Sequence, residues 1–175
     1  MTEPLKNSFY TLRSGLTIFP EHQKTIDQWL TQLVHQTPAR FVMLTDVSGQ
    51  LISARGDQGR TNLVALGSLI AGDLAASQEI ARFLGEYQDY QLVLREGQTS
   101  HTLIIAAGLH LVLFAQIPSE VPLGWARMLI QEAARQLAEL FEKIPQQMEP
   151  TEPEPTFDEN LPDLFKNALD ELWLE

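Results

Sequence analysis

The stretch from Asn62 to Gly85 constrains the fold most, because it is a long helical pattern with almost no charge. Asp73 is its sole ionisable residue before Glu79. At 100° per residue, one side of the pattern is an ordinary core stripe, made of Leu63, Leu66, Ile70, Leu74, Ser77, Ala81 and Leu84. The spacing therefore predicts a helix with that stripe buried.

The opposite side of this helix carries small residues where a surface helix normally carries Lys, Glu and Gln. They form two rows at four-residue spacing, which are Gly67, Ala71 and Ala75, and Ser68, Gly72 and Ala76. A glycine inside a helix costs about 1 kcal/mol against alanine, so the two glycines indicate a close approach by another backbone. We expect a second polypeptide to cover this side. The alternative is a fully internal helix of a monomer.

The other apolar segments predict two helices and five strands. They are the helix Glu21–Gln36, the hairpin strands Phe41–Leu44 and Leu51–Ala54, the strands Tyr90–Arg95, His101–Ala106 and His110–Gln116, and a last helix that Ser119 is expected to cap. Short turns make the strands antiparallel. We predict an α+β fold, with a five-stranded antiparallel sheet between helices in the order α-β-β-α-β-β-β-α.

The chain divides by composition into four parts. Residues 1–20 are expected to be an arm, extended or with a short strand, and residues 21–144 form the domain. Residues 145–160 are an acidic, proline-rich linker, and residues 161–175 predict an amphipathic helix.

Charge is concentrated at the C-terminal end. Residues 145–175 hold nine acidic residues against Lys166, so they carry −8 of the net charge of −11. A helix of about fourteen residues is marginal alone in water. The last helix is therefore expected to dock on a partner, although permanent packing on its own body is the alternative.

The sequence lacks the residues that several classes of function need. The chain has no cysteine, its four histidines are scattered, and no phosphate-binding glycine loop is present. Asp46–Gln50 is similar to a GTPase switch element, but without that loop a hairpin turn is favoured. We expect no catalysis, metal or cofactor. Without a basic face, nucleic acid is not an expected partner. No apolar run is expected to reach membrane-spanning length, and we expect a cytoplasmic protein.

Three segments carry a resemblance to the roadblock/LC7 family. They read FVMLTDVSGQLISARG, SLIAGDLAASQEIARFLGE and HTLIIAAGLHLVLFAQ. The resemblance covers about residues 21–143, and the second segment with the acidic tail is more narrowly similar to the MglB-type bacterial regulators of gliding motility and polarity. A profilin-like fold is implied.

The resemblance also implies a partner. MglB-type proteins are homodimers that bind one small Ras-like GTPase of the MglA type and stimulate GTP hydrolysis without supplying a catalytic residue. The surface that matches the GTPase contact is Ser68, Gly72 and Ala76, and the residues expected at the dimer interface are Gly67, Ala71, Ala75, Leu92 and Leu94. Polar localisation through partners would follow.

The last helix matches a segment that binds the GTPase at a second site in MglB-type proteins. Its expected anchors are Leu164, Phe165, Leu169, Leu172 and Trp173. Two other functions stay open at this point. One is a non-catalytic scaffold that binds a GTPase or another client without changing its turnover, and the other, less supported, is a small-molecule sensor.

Overall fold

The computed structural model describes residues 9–85 and 92–142. In chain order the elements are β1 (Tyr10–Thr11), β2 (Thr17–Ile18), α1 (Pro20–Gln36), β3 (Phe41–Asp46), β4 (Leu51–Gly56), α2 (Leu63–Phe83), β5 (Leu92–Arg95), β6 (Ser100–Ala107), β7 (Leu111–Pro118) and α3 (Leu123–Glu142). From α1 onward this is the predicted order, so the α+β fold prediction is confirmed.

Five strands form one antiparallel sheet in the order β4-β3-β7-β6-β5. Strands β3, β7 and β6 lie inside the sheet, and their side chains are buried on both faces, as continuous apolar runs predict. Strand β5 lies at one edge. Strand β4 forms the other edge.

Helices cover both faces of the sheet. Alternate strand residues such as Val42 and Leu44 join α1 and α3 in the larger core. Their neighbours Phe41 and Met43 join Ile70 of α2 in a smaller core. Helix α2 is therefore alone on its face of the sheet in the part of the chain that the structure describes.

Local signals begin and end α2 where they were expected. The side chain of Asn62 accepts a hydrogen bond from the backbone N–H of Ala65, which satisfies one free donor of the first turn. At the other end Gly85 has a φ of 72°, a left-handed conformation that glycine adopts without strain. The helix of 21 residues between them follows from these two signals.

Of the residues set apart as an arm, residues 10–18 pack into the domain. Strands β1 and β2 form a hairpin, and Leu12, Leu16 and Ile18 are buried in the larger core. We call residues 10–18 the N-terminal hairpin. Its turn lies near the β3–β4 turn, because the backbone N–H of Arg13 donates to Gln50 Oε1 at 3.0 Å.

The cap expected at Ser119 is wrong. Its hydroxyl donates to the carbonyl of Gln98 at 3.0 Å, and α3 begins four residues later at Leu123. The carbonyl of Pro122 precedes α3 and accepts the N–H groups of Trp125 and Ala126 in its first turn. Ser119 thus holds the β5–β6 connection against the end of β7.

The expectation that no segment reaches membrane-spanning length needs correction. By length and composition α2 could cross a membrane, and only 17% of its most apolar window is buried in this fold. Length and composition are weak evidence of a membrane helix. Here α2 packs Ile70 and Leu74 against the sheet, as a helix of a layered domain does.

Candidate partner-binding surface

The side of α2 that faces away from the sheet is exposed and mostly apolar. We call it the outward face. It contains the small residues Ala65, Ser68, Gly72, Ala75 and Ala76 and the larger apolar residues Val64, Leu69, Ile80 and Phe83, all of which are exposed. Side chains such as Leu69 and Phe83, which are 70% and 89% exposed, mark a binding surface when they form one contiguous patch.

The two helical glycines have different surroundings. A Cβ added at Gly72 would meet no atom within 4 Å, so this position opens onto free space. A Cβ added at Gly67 would lie 2.4 Å from the carbonyl oxygen of Gly49 in the β3–β4 turn. The close approach predicted from the glycines therefore exists at Gly67, but the backbone that approaches belongs to the same chain.

This contact corrects the reason given for one row of small residues. Gly67 and Ala71 are buried against the chain's own body, and Ala75 is exposed. The missing side chain of Gly67 makes room for Gly49, so Gly67 is not available to a second helix. The other row, Ser68, Gly72 and Ala76, lies fully on the outward face.

An ion pair shows which flank of α2 lies beside β5. Arg95, the last residue of β5, donates from both terminal nitrogens to the carboxylate of Asp73, at 2.5 and 2.8 Å. At 100° per residue, Asp73 is turned about 120° from Gly67 and about 160° from Ala71 and Ala75. The row expected to pair the helices therefore lies away from β5.

The residues predicted for the dimer interface do not form one surface, because the α2 row lies away from β5. Leu92 is half-buried against the larger core and Leu94 is 37% exposed, both on the sheet face that α1 and α3 cover. Leu69 and Ile80 lie within about 40° of Asp73 around the helix axis and are the large exposed side chains of α2 on the β5 flank. Sequence reasoning missed Leu69 and Ile80, although two large apolar residues beside the small row were a usable signal.

The ion pair with Arg95 neutralises Asp73, which is the one ionisable residue of α2 before Glu79. The carboxylate is 19% exposed and the guanidinium 62% exposed. Two parallel N–H···O bonds fix both groups in one geometry. A partner that covers this flank therefore meets a paired and oriented Asp73, which reduces the desolvation cost of a lone carboxylate.

The β3–β4 turn is built around the carboxylate of Asp46, as the hairpin interpretation predicted. Its Oδ1 accepts from the N–H and hydroxyl of Ser48 and from the N–H of Gln50, at 3.0, 2.7 and 2.8 Å. Its Oδ2 accepts from the N–H of Ser14 at 3.2 Å. Burial works to raise the pKa of Asp46, but the hydrogen bonds from Ser48, Ser14 and Gln50 outweigh it and lower the pKa below its ordinary value.

The β4 edge of the sheet is occupied by side chains of the same chain. Gln23 of α1 donates to the carbonyl of Ile52, and Arg55 donates to the carbonyl of Ala54. Asp27 of α1 accepts from Arg55 at 2.9 Å and from Gln23 at 3.1 Å. This network covers carbonyls that an added strand would use.

Several predicted residues cannot be placed. Tyr90, Gln91 and the whole of residues 143–175 lie outside the described residues, and so do the anchors Leu164, Phe165, Leu169, Leu172 and Trp173. Within residues 9–85 and 92–142, no group of three His, Asp or Glu residues could hold a metal ion.

Solved structures of known proteins are similar to this chain. No family model and no curated protein matches the chain. MglB from Myxococcus xanthus is 29% identical, with 69% of this chain and 97% of that one covered and a TM-score of 0.64. Gliding protein MglB from Thermus thermophilus is 27% identical, with 67% and 88% covered and a TM-score of 0.60.

A roadblock/LC7 domain from Streptomyces avermitilis shares the fold. It is 15% identical, with 66% of this chain and 97% of that one covered and a TM-score of 0.59. The identity is higher with the two MglB proteins. This chain is therefore a protein of the roadblock/LC7 fold that is similar to MglB.

Proposed function

We propose that this protein is a homodimeric, cytoplasmic regulator of a small Ras-like GTPase of the MglA type. One GTPase binds per dimer on the outward face of α2, and binding stimulates GTP hydrolysis. The similarity to MglB supports the class of protein, and the outward face supports the mode of binding.

The observation that carries the proposal is an open, apolar helical surface in a small domain. Ser68, Gly72 and Ala76 present almost no side chain along the middle of the outward face, with exposed Phe83 beside them. Small side chains allow a partner's backbone or side chains to approach the helix closely. A surface of this kind left in water would be an aggregation hazard, which favours a partner.

The same surface supports regulation without a catalytic residue in trans. The side chains of Gly72 and Ala76 are too short to reach into a nucleotide site. Of the ionisable groups on or beside α2, Asp73 is paired with Arg95, and Glu79 is paired with Arg82. A partner GTPase would therefore be remodelled by contact, so that its own residues perform hydrolysis.

Dimerisation is proposed on the β5 side. The Gln23–Asp27–Arg55 network covers the β4 edge, whereas β5 pairs only with β6 among the described strands. A second copy can add its β5 there and extend the sheet, while the β5 flanks of the two α2 helices meet. Residues 161–175 are proposed as a second contact with the GTPase.

The test is single-turnover GTP hydrolysis by the MglA-type GTPase from the same genome, with and without this protein. A matched pair of variants locates the effect. Gly72→Arg places a long side chain on the outward face, and Gly124→Arg places it at another open position, in the first turn of α3. Faster hydrolysis with wild type and Gly124→Arg, but not with Gly72→Arg, is expected.

Three other outcomes would decide against the proposal. Binding with unchanged hydrolysis would identify a scaffold, and a shift of melting temperature with a small ligand but not with the GTPase would revive a sensor. Equal hydrolysis with the two arginine variants would show that the GTPase does not use the outward face.

A further inference from the structure

We propose that Asp46 is a positioning residue for the outward face of α2, and that it links the N-terminal hairpin to the part of α2 where a partner binds. The inference concerns the surface named under the proposed function, but its physical test does not need the partner. It rests on three consecutive contacts.

The first contact joins the hairpin to the turn. Asp46 is fully buried, and its Oδ2 accepts the N–H of Ser14 from the N-terminal hairpin. A second bond runs alongside, from the N–H of Arg13 to Gln50 Oε1. The hairpin itself is anchored in the larger core by Leu12 and Leu16. A well-anchored element therefore holds the turn through two hydrogen bonds.

The second contact lies within the turn. Asp46 Oδ1 accepts three hydrogen bonds from Ser48 and Gln50, the residues that flank Gly49. Gly49 has a φ of 85°, which L side chains rarely adopt. One carboxylate therefore sets both the shape of the turn and its connection to the hairpin.

The third contact joins the turn to α2. A Cβ added at Gly49 would lie 2.6 Å from the carbonyl oxygen of Gly67 and 2.8 Å from the Cα of Ser68. Backbone therefore meets backbone, with no flexible side chain between them that could absorb a displacement. Ser68 is exposed on the other side of the helix, in the row proposed to bind the GTPase. A shift of the turn would move Ser68 with it.

Asp46→Asn tests the link with a side chain of the same size. The amide can keep its oxygen on Ser48 and Gln50, but the NH₂ group that replaces Oδ2 cannot accept from Ser14. Asp57→Asn is the matched control, because Asp57 accepts the N–H of Gly59 within the exposed loop between β4 and α2. Gln50→Ala removes the parallel bond from Arg13.

The primary measurement is amide hydrogen exchange in the isolated protein. In Asp46→Asn we expect exchange in residues 63–70 to be about tenfold faster, a factor that corresponds to about 1.4 kcal/mol. Gln50→Ala should act in the same direction, and Asp57→Asn should have no effect. Residues 123–142 of α3 serve as an internal reference and should be unchanged.

Unchanged exchange in α2 would overturn the proposal. So would an equal increase in α2 and α3, because that result reports global destabilisation only. GTPase affinity, measured well below the melting temperature, gives a second readout. The affinity of Asp46→Asn should fall in proportion to the fraction of molecules in which α2 is displaced, while the dimer persists. Faster α2 exchange in a protein that binds no GTPase would support the link and refute the proposed function.

Discussion

Alanine at Gly67 and alanine at Gly72 are expected to change the free energy of unfolding in opposite directions. Both glycines lie inside α2, so each substitution gains about 1 kcal/mol of helix propensity. At Gly72 the new methyl group meets no atom within 4 Å, and the gain remains. Gly72→Ala should therefore stabilise the protein by about 1 kcal/mol.

At Gly67 the same methyl group meets the backbone of the β3–β4 turn. The contact with the oxygen of Gly49 would be 2.4 Å, and the contact with Thr45 Cγ2 would be 3.4 Å. Overpacking of a core costs about 1–3 kcal/mol, and a rigid backbone neighbour places this case at the upper end. Gly67→Ala should therefore destabilise the protein by about 2 kcal/mol.

Urea unfolding at one protein concentration measures both variants. The predicted difference between them is about 3 kcal/mol, which corresponds to melting temperatures about 6–12 °C apart for a chain of this size. If both variants were stabilised equally, Gly49 would not lie on α2, and the turn-to-helix contact would be refuted. If both were destabilised equally, Gly72 would not be open.

Three further predictions follow from the same surfaces. Gly72→Arg should keep the circular dichroism spectrum and the dimer mass by light scattering, but calorimetry should detect no GTPase binding; a monomeric variant would instead move Gly72 to the dimer interface. Deleting residues 145–175 should leave the fold and dimer intact and weaken GTPase affinity, whereas an unfolded truncation would place the last helix in the core. Because the pKa of Asp46 is lowered in the folded protein, its stabilising effect is present above its ordinary value of 3.8 and is lost as the pH falls below it. The stability difference between wild type and Asp46→Asn should therefore narrow as the pH falls below 3.8, and a constant urea-midpoint difference would contradict this assignment.

Local patterns predicted the elements well. The predicted stretch Asn62–Gly85 contains α2, whose cap at Asn62 and end at Gly85 depend on neighbours in sequence. The five predicted strands are all present in one antiparallel sheet. These signals are local and do not depend on how α2 rotates about its axis on the sheet.

The sides of α2 could not be assigned from spacing, because they depend on contacts between distant residues. Gly67 is buried by Gly49, and Asp73 pairs with Arg95 from a strand 22 residues later. A helical wheel shows which residues share a side but not which side meets the sheet. The core stripe shows the same limit, since Leu84 is 67% exposed although the pattern placed it inside.

The cap at Ser119 failed for a related reason. A serine before an apolar periodic segment is a good N-cap signal, but the hydroxyl of Ser119 meets the carbonyl of Gln98 instead. A tertiary contact therefore outweighed the local preference. The N-terminal hairpin was underestimated in the same way, because the burial of Leu12 and Ile18 depends on a core built by later residues.

Site-specific photo-crosslinking tests most directly whether the outward face of α2 binds the GTPase. The chain has no cysteine, so Ala65→Cys, on the outward face, and Arg127→Cys, on the exposed side of α3, each carry one benzophenone label. We expect a GTP-dependent adduct with the MglA-type GTPase from position 65 and none from position 127. Equal adducts from the two positions, or an adduct from position 127 only, would show that the GTPase does not bind the outward face.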